Sequence, residues 1–286
     1  MTVWQLANDR YQMDVMATGG EVSRIRDRRT GREWLWQPQP GVWNNSATQL
    51  FPVVGRLIHD GIRENGLFFP LPSHGFLRYQ HFERIEQGGN HMLLEARPTP
   101  ETLAAWPWHW RFQLQLTVHQ DGVSISQRVF NDDTRPFWFS LGWHPGFSLP
   151  VVTQPGWSVQ FGDRAVRGPF LTSNRTLITE GQTQTTTLFP LTNESFRAGA
   201  VYFGNCRQVR VCSPEGRAVI TLDISEYDWL ALWSVPGANL LCIEPLAGTT
   251  DAPDFDGEIE QKRGIRKLMP GQQQTFALKL CLMVDV

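Results

Sequence analysis

Residues 111–130 read RFQLQLTVHQDGVSISQRVF. Phe112, Leu114, Leu116 and Val118 fall on one side of an extended chain, and Arg111, Gln113, Gln115 and Thr117 on the other. That period of two marks a half-buried strand. Gln120-Asp121-Gly122 interrupts it, after which Val123, Ile125 and Val129 resume the alternation. Two alternating runs joined through Asp-Gly predict an antiparallel β-hairpin.

The same pattern recurs along the chain. RAVITLDI (217–224) alternates Ala218, Ile220, Leu222 and Ile224, and TFALKLCLMV (275–284) alternates Phe276, Leu278, Leu280, Leu282 and Val284. The 25 glycines and 19 prolines punctuate such runs at short intervals. This predicts an all-β chain built as an antiparallel sandwich or barrel. One helix is expected over TPETLAAW (99–106), with Thr99 as N-cap and Pro100 in the first helical position. TEGQTQTTT (179–187) predicts the longest loop, too short for a flexible linker. With no internal repeat, residues 1–286 are read as a single domain.

Hydrophobic residues make up 41% and charged ones 19%, so the chain can fill a core. A net charge of -2 offers no electrostatic basis for binding nucleic acid or anionic lipid. The densest cationic run, QKRGIRK (261–267), reads as a solvated strand end or turn. The four cysteines form no CxxC pair, the first dozen residues lack a signal-peptide pattern, and no window approaches a membrane span. A reduced, cytoplasmic, soluble protein is expected, either monomer or homodimer.

Twelve tryptophans stand out. Trp106, Trp108 and Trp110 would share a face if extended. They fit either a wide core that needs large side chains or an aromatic cleft for sugar.

Three stretches hold chemistry-bearing residues in stiff settings: HGFLRY from His74, LGWHPGF (141–147) and CIEPL from Cys242. Pro145 and Pro245 hold His144 and Glu244 extended, and neither proline can donate to a ladder. Gly146 is expected to let the chain turn away after His144. A carboxylate ending an apolar run points to a cavity lining or to an arginine partner. A histidine between aromatic residues is either a satisfied core group or a proton donor and acceptor near neutrality. Arg56 and Arg78 suit capture of hydroxyls or phosphate, or ordinary surface ion pairs. Two histidines and a glutamate could also ligate zinc, but no HExxH-like local pair accompanies them. Phosphate-loop, GxGxxG and GxSxG motifs are absent.

Taken in order, FPVVGR (51–56), HGFLR (74–78), LGWHPGF, CIEP (242–245) and KRGIRKLMPG (262–271) resemble the aldose 1-epimerase, or galactose mutarotase-like, family. The likeness spans roughly residues 50 to 271. It is nearest to the branch holding hexose-6-phosphate epimerases and lactose-operon mutarotase-like proteins. The resemblance implies a large antiparallel β-sandwich (the galactose mutarotase-like supersandwich), a hexose or hexose phosphate as substrate, and no cofactor or metal. It makes Glu244 the general base at the anomeric hydroxyl and His144 the general acid at the ring oxygen. His74, Arg56 and Arg78 would bind the sugar, with Trp233 beside them. Many members carry an aspartate in an F..D.L-like stretch. This chain has none between Asp163 and Asp223, and LFPLTNESF (188–196) offers Glu194 as a replacement. If the cleft is kept without turnover, the alternative is a non-catalytic carbohydrate-binding protein.

Overall fold

The computed structural model describes residues 2–162 and 164–283. The hairpin expected over 111–130 is present. Trp110–His119 and Gly122–Asn131 pair antiparallel, with Val118 across from Val123 and Leu116 across from Ile125. Because side chains alternate, this register puts both apolar sets on one face. Gln273–Leu282 adds to the free side of Gly122–Asn131, and His91–Ala96 to that of Trp110–His119. Val284 lies outside the described residues. Ala218–Asp223 pairs with Gln273–Leu282 in turn, and among the described residues this antiparallel sheet has nine strands.

A second large sheet, eight-stranded among the described residues, carries the two X-Pro stretches. Leu240–Ala247 lies between Trp229–Trp233 and Leu141–Ser148, and the latter pairs on its other side with Ala47–Leu50. All eight residues of Leu240–Ala247 are buried, as are seven of the eight in Leu141–Ser148. Leu141, Trp143, Phe147, Leu241 and Ile243 join the main core, while Leu240 and Cys242 belong to a separate cluster. Trp143 and Phe147 are fully buried. Truncating either to alanine costs about 3–5 kcal/mol through lost burial and a residual cavity. A buried polar link ties the two sheets together. Gln127 Nε2 donates to Gln49 Oε1 at 2.7 Å and to the Gly142 carbonyl at 3.0 Å, and Gln127 Oε1 accepts from the Tyr227 hydroxyl at 2.9 Å.

The helix runs Pro100–Ala105, with the Thr99 hydroxyl accepting from the Thr102 amide. The expected 179–187 loop is irregular apart from Thr185–Thr186, which pairs with Val166 and Arg167. Trp106, Trp108 and Trp110 are core residues, each no more than 2% exposed. Gly146 corrects an expectation, because the strand continues through it to Ser148 with no turn. A Cβ there would stand 2.6 Å from Trp43 Cζ3 and 2.8 Å from Leu240 Cδ1. The glycine leaves room for an indole. Among the described residues no helix is long and apolar enough to cross a membrane.

Candidate active site

The pairs Gly142↔Leu246 and Gly146↔Cys242 place His144 directly opposite Glu244 on neighbouring antiparallel strands. No ladder pair forms between them, at 143–145. Pro145 and Pro245 each remove one N–H there, so the two X-Pro units open the ladder where the His144 and Glu244 side chains stand. Both strands remain fixed on their outer sides, with His144 paired to Thr48 and Glu244 to Ala231, which pairs on to Tyr202. Thr48, His144, Glu244 and Tyr202 all face one cleft of about 390 Å³. That is within the range of small-molecule sites.

His144 Nε2 stands 3.4 Å from Glu244 Oε1. Burial pushes Glu244 up to about 8, because an ionised carboxylate loses its water there. Burial likewise pushes His144 down to about 4, its own backbone pulling the other way and the Arg78 charge adding to the fall. Burial thus favours the uncharged form of each, a protonated Glu244 beside a neutral His144.

His74 enters from a loop rather than a strand. It adopts a left-handed conformation (φ 65°), and Gly75 follows at φ 68°. A Cβ on Gly75 would lie 2.2 Å from the Phe51 carbonyl oxygen, so only glycine fits. The Gly55 amide donates to His74 Nδ1 at 3.2 Å. A neutral His74 therefore carries its proton on Nε2 as a donor. Burial, with the neighbouring His144 and Arg78 charges, holds it well below the usual histidine range.

Arg56, Arg78 and Trp233 also line the cleft. Arg56 Nη1 donates to the Asn174 carbonyl at 2.7 Å, and Arg78 Nη2 to that of Ser73 at 2.9 Å. Arg78 Nε is buried with no partner among the described residues. Glu194 is not brought to the cleft. It starts a short 3₁₀ turn on the surface and pairs with Arg197 at 2.9 Å.

Sequence reasoning missed Arg175 and Trp43, which line the same cleft. Asn174 and Arg175, at φ 48° and 63°, form the two-residue loop between Ser173 and Thr176. Two left-handed residues make a type I′ turn, whose second position favours glycine. An arginine there carries local strain of about 1 kcal/mol or more. The Thr250 hydroxyl holds the turn, accepting from the Arg56 amide at 3.0 Å and donating to the Arg175 carbonyl at 2.6 Å. Arg175 Nη2 reaches Ser73 Oγ at 2.9 Å, so Ser73 anchors both Arg78 and Arg175. None of Arg56, Arg78 and Arg175 pairs with a carboxylate among the described residues. The available signal was an Asn-Arg dipeptide where Asn-Gly is usual. Trp43 stacks on His144 with ring centroids 4.9 Å apart. Its proline-rich loop carries no periodic pattern to mark it.

Among the described residues, no three His, Cys, Asp or Glu groups stand where they could hold a metal ion. The arrangement sets a buried imidazole–carboxyl pair, a second buried imidazole and three guanidiniums around one cleft.

A family model described as aldose 1-epimerase matches residues 2–258. The plasmid-encoded protein LacX of Lactococcus lactis subsp. lactis is 24% identical over 301 aligned residues, covering 94% of this chain and 95% of LacX. A galactose mutarotase-like protein from Lactobacillus casei ATCC 334 superposes with a TM-score of 0.89 at 23% identity, over 99% of this chain and 100% of that one. A galactose mutarotase related enzyme from Lactobacillus acidophilus gives 0.91 at 23% identity, over 99% and 98%. At these identities the structural likeness speaks to the fold.

Proposed function

The chain belongs to the aldose 1-epimerase family, and from that premise we propose that it interconverts the α and β anomers of an aldohexose by opening and reclosing the ring. The observation that carries this reading is the His144–Glu244 pair, 3.4 Å apart across two buried strands. Mutarotation makes and breaks O–H bonds and one hemiacetal C–O bond, so one acceptor and one donor suffice. In the opening step Glu244, its proton passed to His144, takes the proton of the anomeric hydroxyl. His144 delivers its proton to the ring oxygen as the C1–O bond breaks and the aldehyde forms. Rotation about C1–C2 presents the other face of the carbonyl, and closure runs with the roles exchanged. One mobile proton on the pair supports both directions. Each group contributes roughly 10²–10⁴ in rate, or about 3–5 kcal/mol.

His74 Nε2 donates to a sugar oxygen beside the reacting centre, and Trp233 offers an indole to the apolar side of the ring. The sugar is a free hexose or its 6-phosphate. Three guanidiniums without carboxylate partners among the described residues favour the phosphorylated form, since a dianion meets donors whose backbone and hydroxyl anchors hold them along one cleft. Exchange NMR on equilibrated anomers of glucose, galactose and glucose 6-phosphate tests the reading. Turnover above the buffer rate is expected for at least one of them. Sugar-dependent stabilisation with no exchange would instead identify a non-catalytic binder.

A further inference from the structure

The imidazole of His144 lacks the usual device for orienting a catalytic histidine. Such rings are commonly held by a hydrogen bond from the second nitrogen to a carboxylate or carbonyl. Here Nδ1 is buried and, its own backbone aside, finds no hydrogen-bond partner among the described residues. Nε2 stands 3.4 Å from Glu244, too long to fix a plane.

What confines the ring is aromatic. Trp43 lies over its face at 4.9 Å with the planes 25° apart. Trp233 meets it edge-on at 6.2 Å and 75°, and His74 at 5.6 Å and 78°. The indole is itself held in place. Trp36 Nε1 donates to the Trp43 carbonyl at 3.0 Å, and a bridge from Gln39 to Trp43 closes the loop between them. Trp43 packs against the cluster of Trp36, Leu240 and Cys242. Gly146, two residues beyond His144 on the same strand, is bare where the six-membered ring of the indole lies. Strand, glycine and loop together set one flat wall against one face of the imidazole.

We infer that Trp43 is a positioning residue for His144, using a stacked indole in place of the missing hydrogen bond to aim Nε2 and to favour the imidazolium formed during ring opening. An indole face attracts a cation through its quadrupole. Stacking also leaves Nδ1 without an acceptor from any other described residue that would tie the ring to one tautomer. The groups facing His144 are Glu244, His74 and the Arg78 charge, and none of them holds Nδ1. The inference rests on His144 acting as proposed above, and its test separates the two.

The experiment compares wild type with Trp43→Phe and Trp43→Leu, using exchange kinetics on the turned-over sugar and long-range ¹H–¹⁵N spectra of the histidine rings. Trp43→Leu should lower kcat about 10–100-fold with KM changed less than threefold. Its His144 ring signals should broaden or double. Trp43→Phe keeps a flat face and should recover most of kcat and a single ring signal. A rise in KM at unchanged kcat would make Trp43 a sugar platform and overturn the inference. So would unaltered His144 signals in Trp43→Leu, even if the wild type itself showed no turnover. Thermal unfolding of each variant checks that both keep their fold.

Discussion

His144 and Glu244 face each other across one antiparallel strand pair, and each is followed by a proline. The prolines interrupt the ladder at the point where the two side chains enter the cleft. Burial then drives the two groups apart in acidity, the carboxyl up to about 8 and the imidazole down to about 4.

That separation sets the pH dependence. Between those values the pair holds one proton, enough for one group to donate while the other accepts. Above about 8, Glu244 loses it and nothing is left to deliver to the ring oxygen; below about 4, both groups are loaded and no base remains. The catalysed rate, after subtraction of buffer and hydroxide catalysis, should form a broad plateau that falls about tenfold per pH unit above 8. A rate still climbing through pH 9 would count against the shared proton.

The same burial carries a stability cost. A carboxyl whose folded value lies above its unfolded 4.5 costs nothing extra below 4.5. The cost grows as pH rises from there to about 8, then levels off. Glu244→Gln removes the ionisable group. Chemical denaturation should therefore show the variant gaining on wild type by ~2–4 kcal/mol between pH 5 and pH 9. A gap independent of pH would mean that Glu244 stays near its ordinary value.

Arg175 is strained by its turn, with φ at 63°. Arg175→Gly relaxes that position and should stabilise the fold by about 0.5–1 kcal/mol. It should also weaken glucose 6-phosphate about 10–100-fold while leaving glucose within threefold, read by calorimetry or KM. Equal losses for both sugars would assign Arg175 to hydroxyl contacts.

Gly146→Ala introduces a methyl group 2.6 Å from Trp43 and 2.8 Å from Leu240 Cδ1. Displacing either should cost about 1–3 kcal/mol. The mutarotation rate should fall with it, because the indole that moves is the one stacked on His144. A variant as stable as wild type would show that the loop yields freely.

Much of the architecture was legible in the sequence because period-two burial leaves a direct trace. The 111–130 hairpin and the strands at 218–223 and 273–282 follow it closely. The X-Pro stretches marked His144 and Glu244, since proline constrains the residue before it whatever the tertiary context. Other features depend on packing that the local sequence does not encode. Trp106, Trp108 and Trp110 could have lined a cleft, and only the core around Phe51 shows that they do not. Gly146 resembled a turn signal but accommodates Trp43, a residue far away in the sequence that lies against it in the fold. Arg175 reaches the cleft through a strained turn, while Glu194 occupies a suggestive sequence slot and folds outward to Arg197.

In the proposed reaction Glu244 and His144 exchange protons with the sugar. Its most direct test is the anomer-exchange rate of Glu244→Gln beside wild type, on whichever hexose or hexose 6-phosphate wild type turns over. Glutamine keeps the shape and removes the titrating group. A loss of about 10²-fold or more in kcat is expected, with sugar binding retained. A variant that exchanges anomers at the wild-type rate would contradict it.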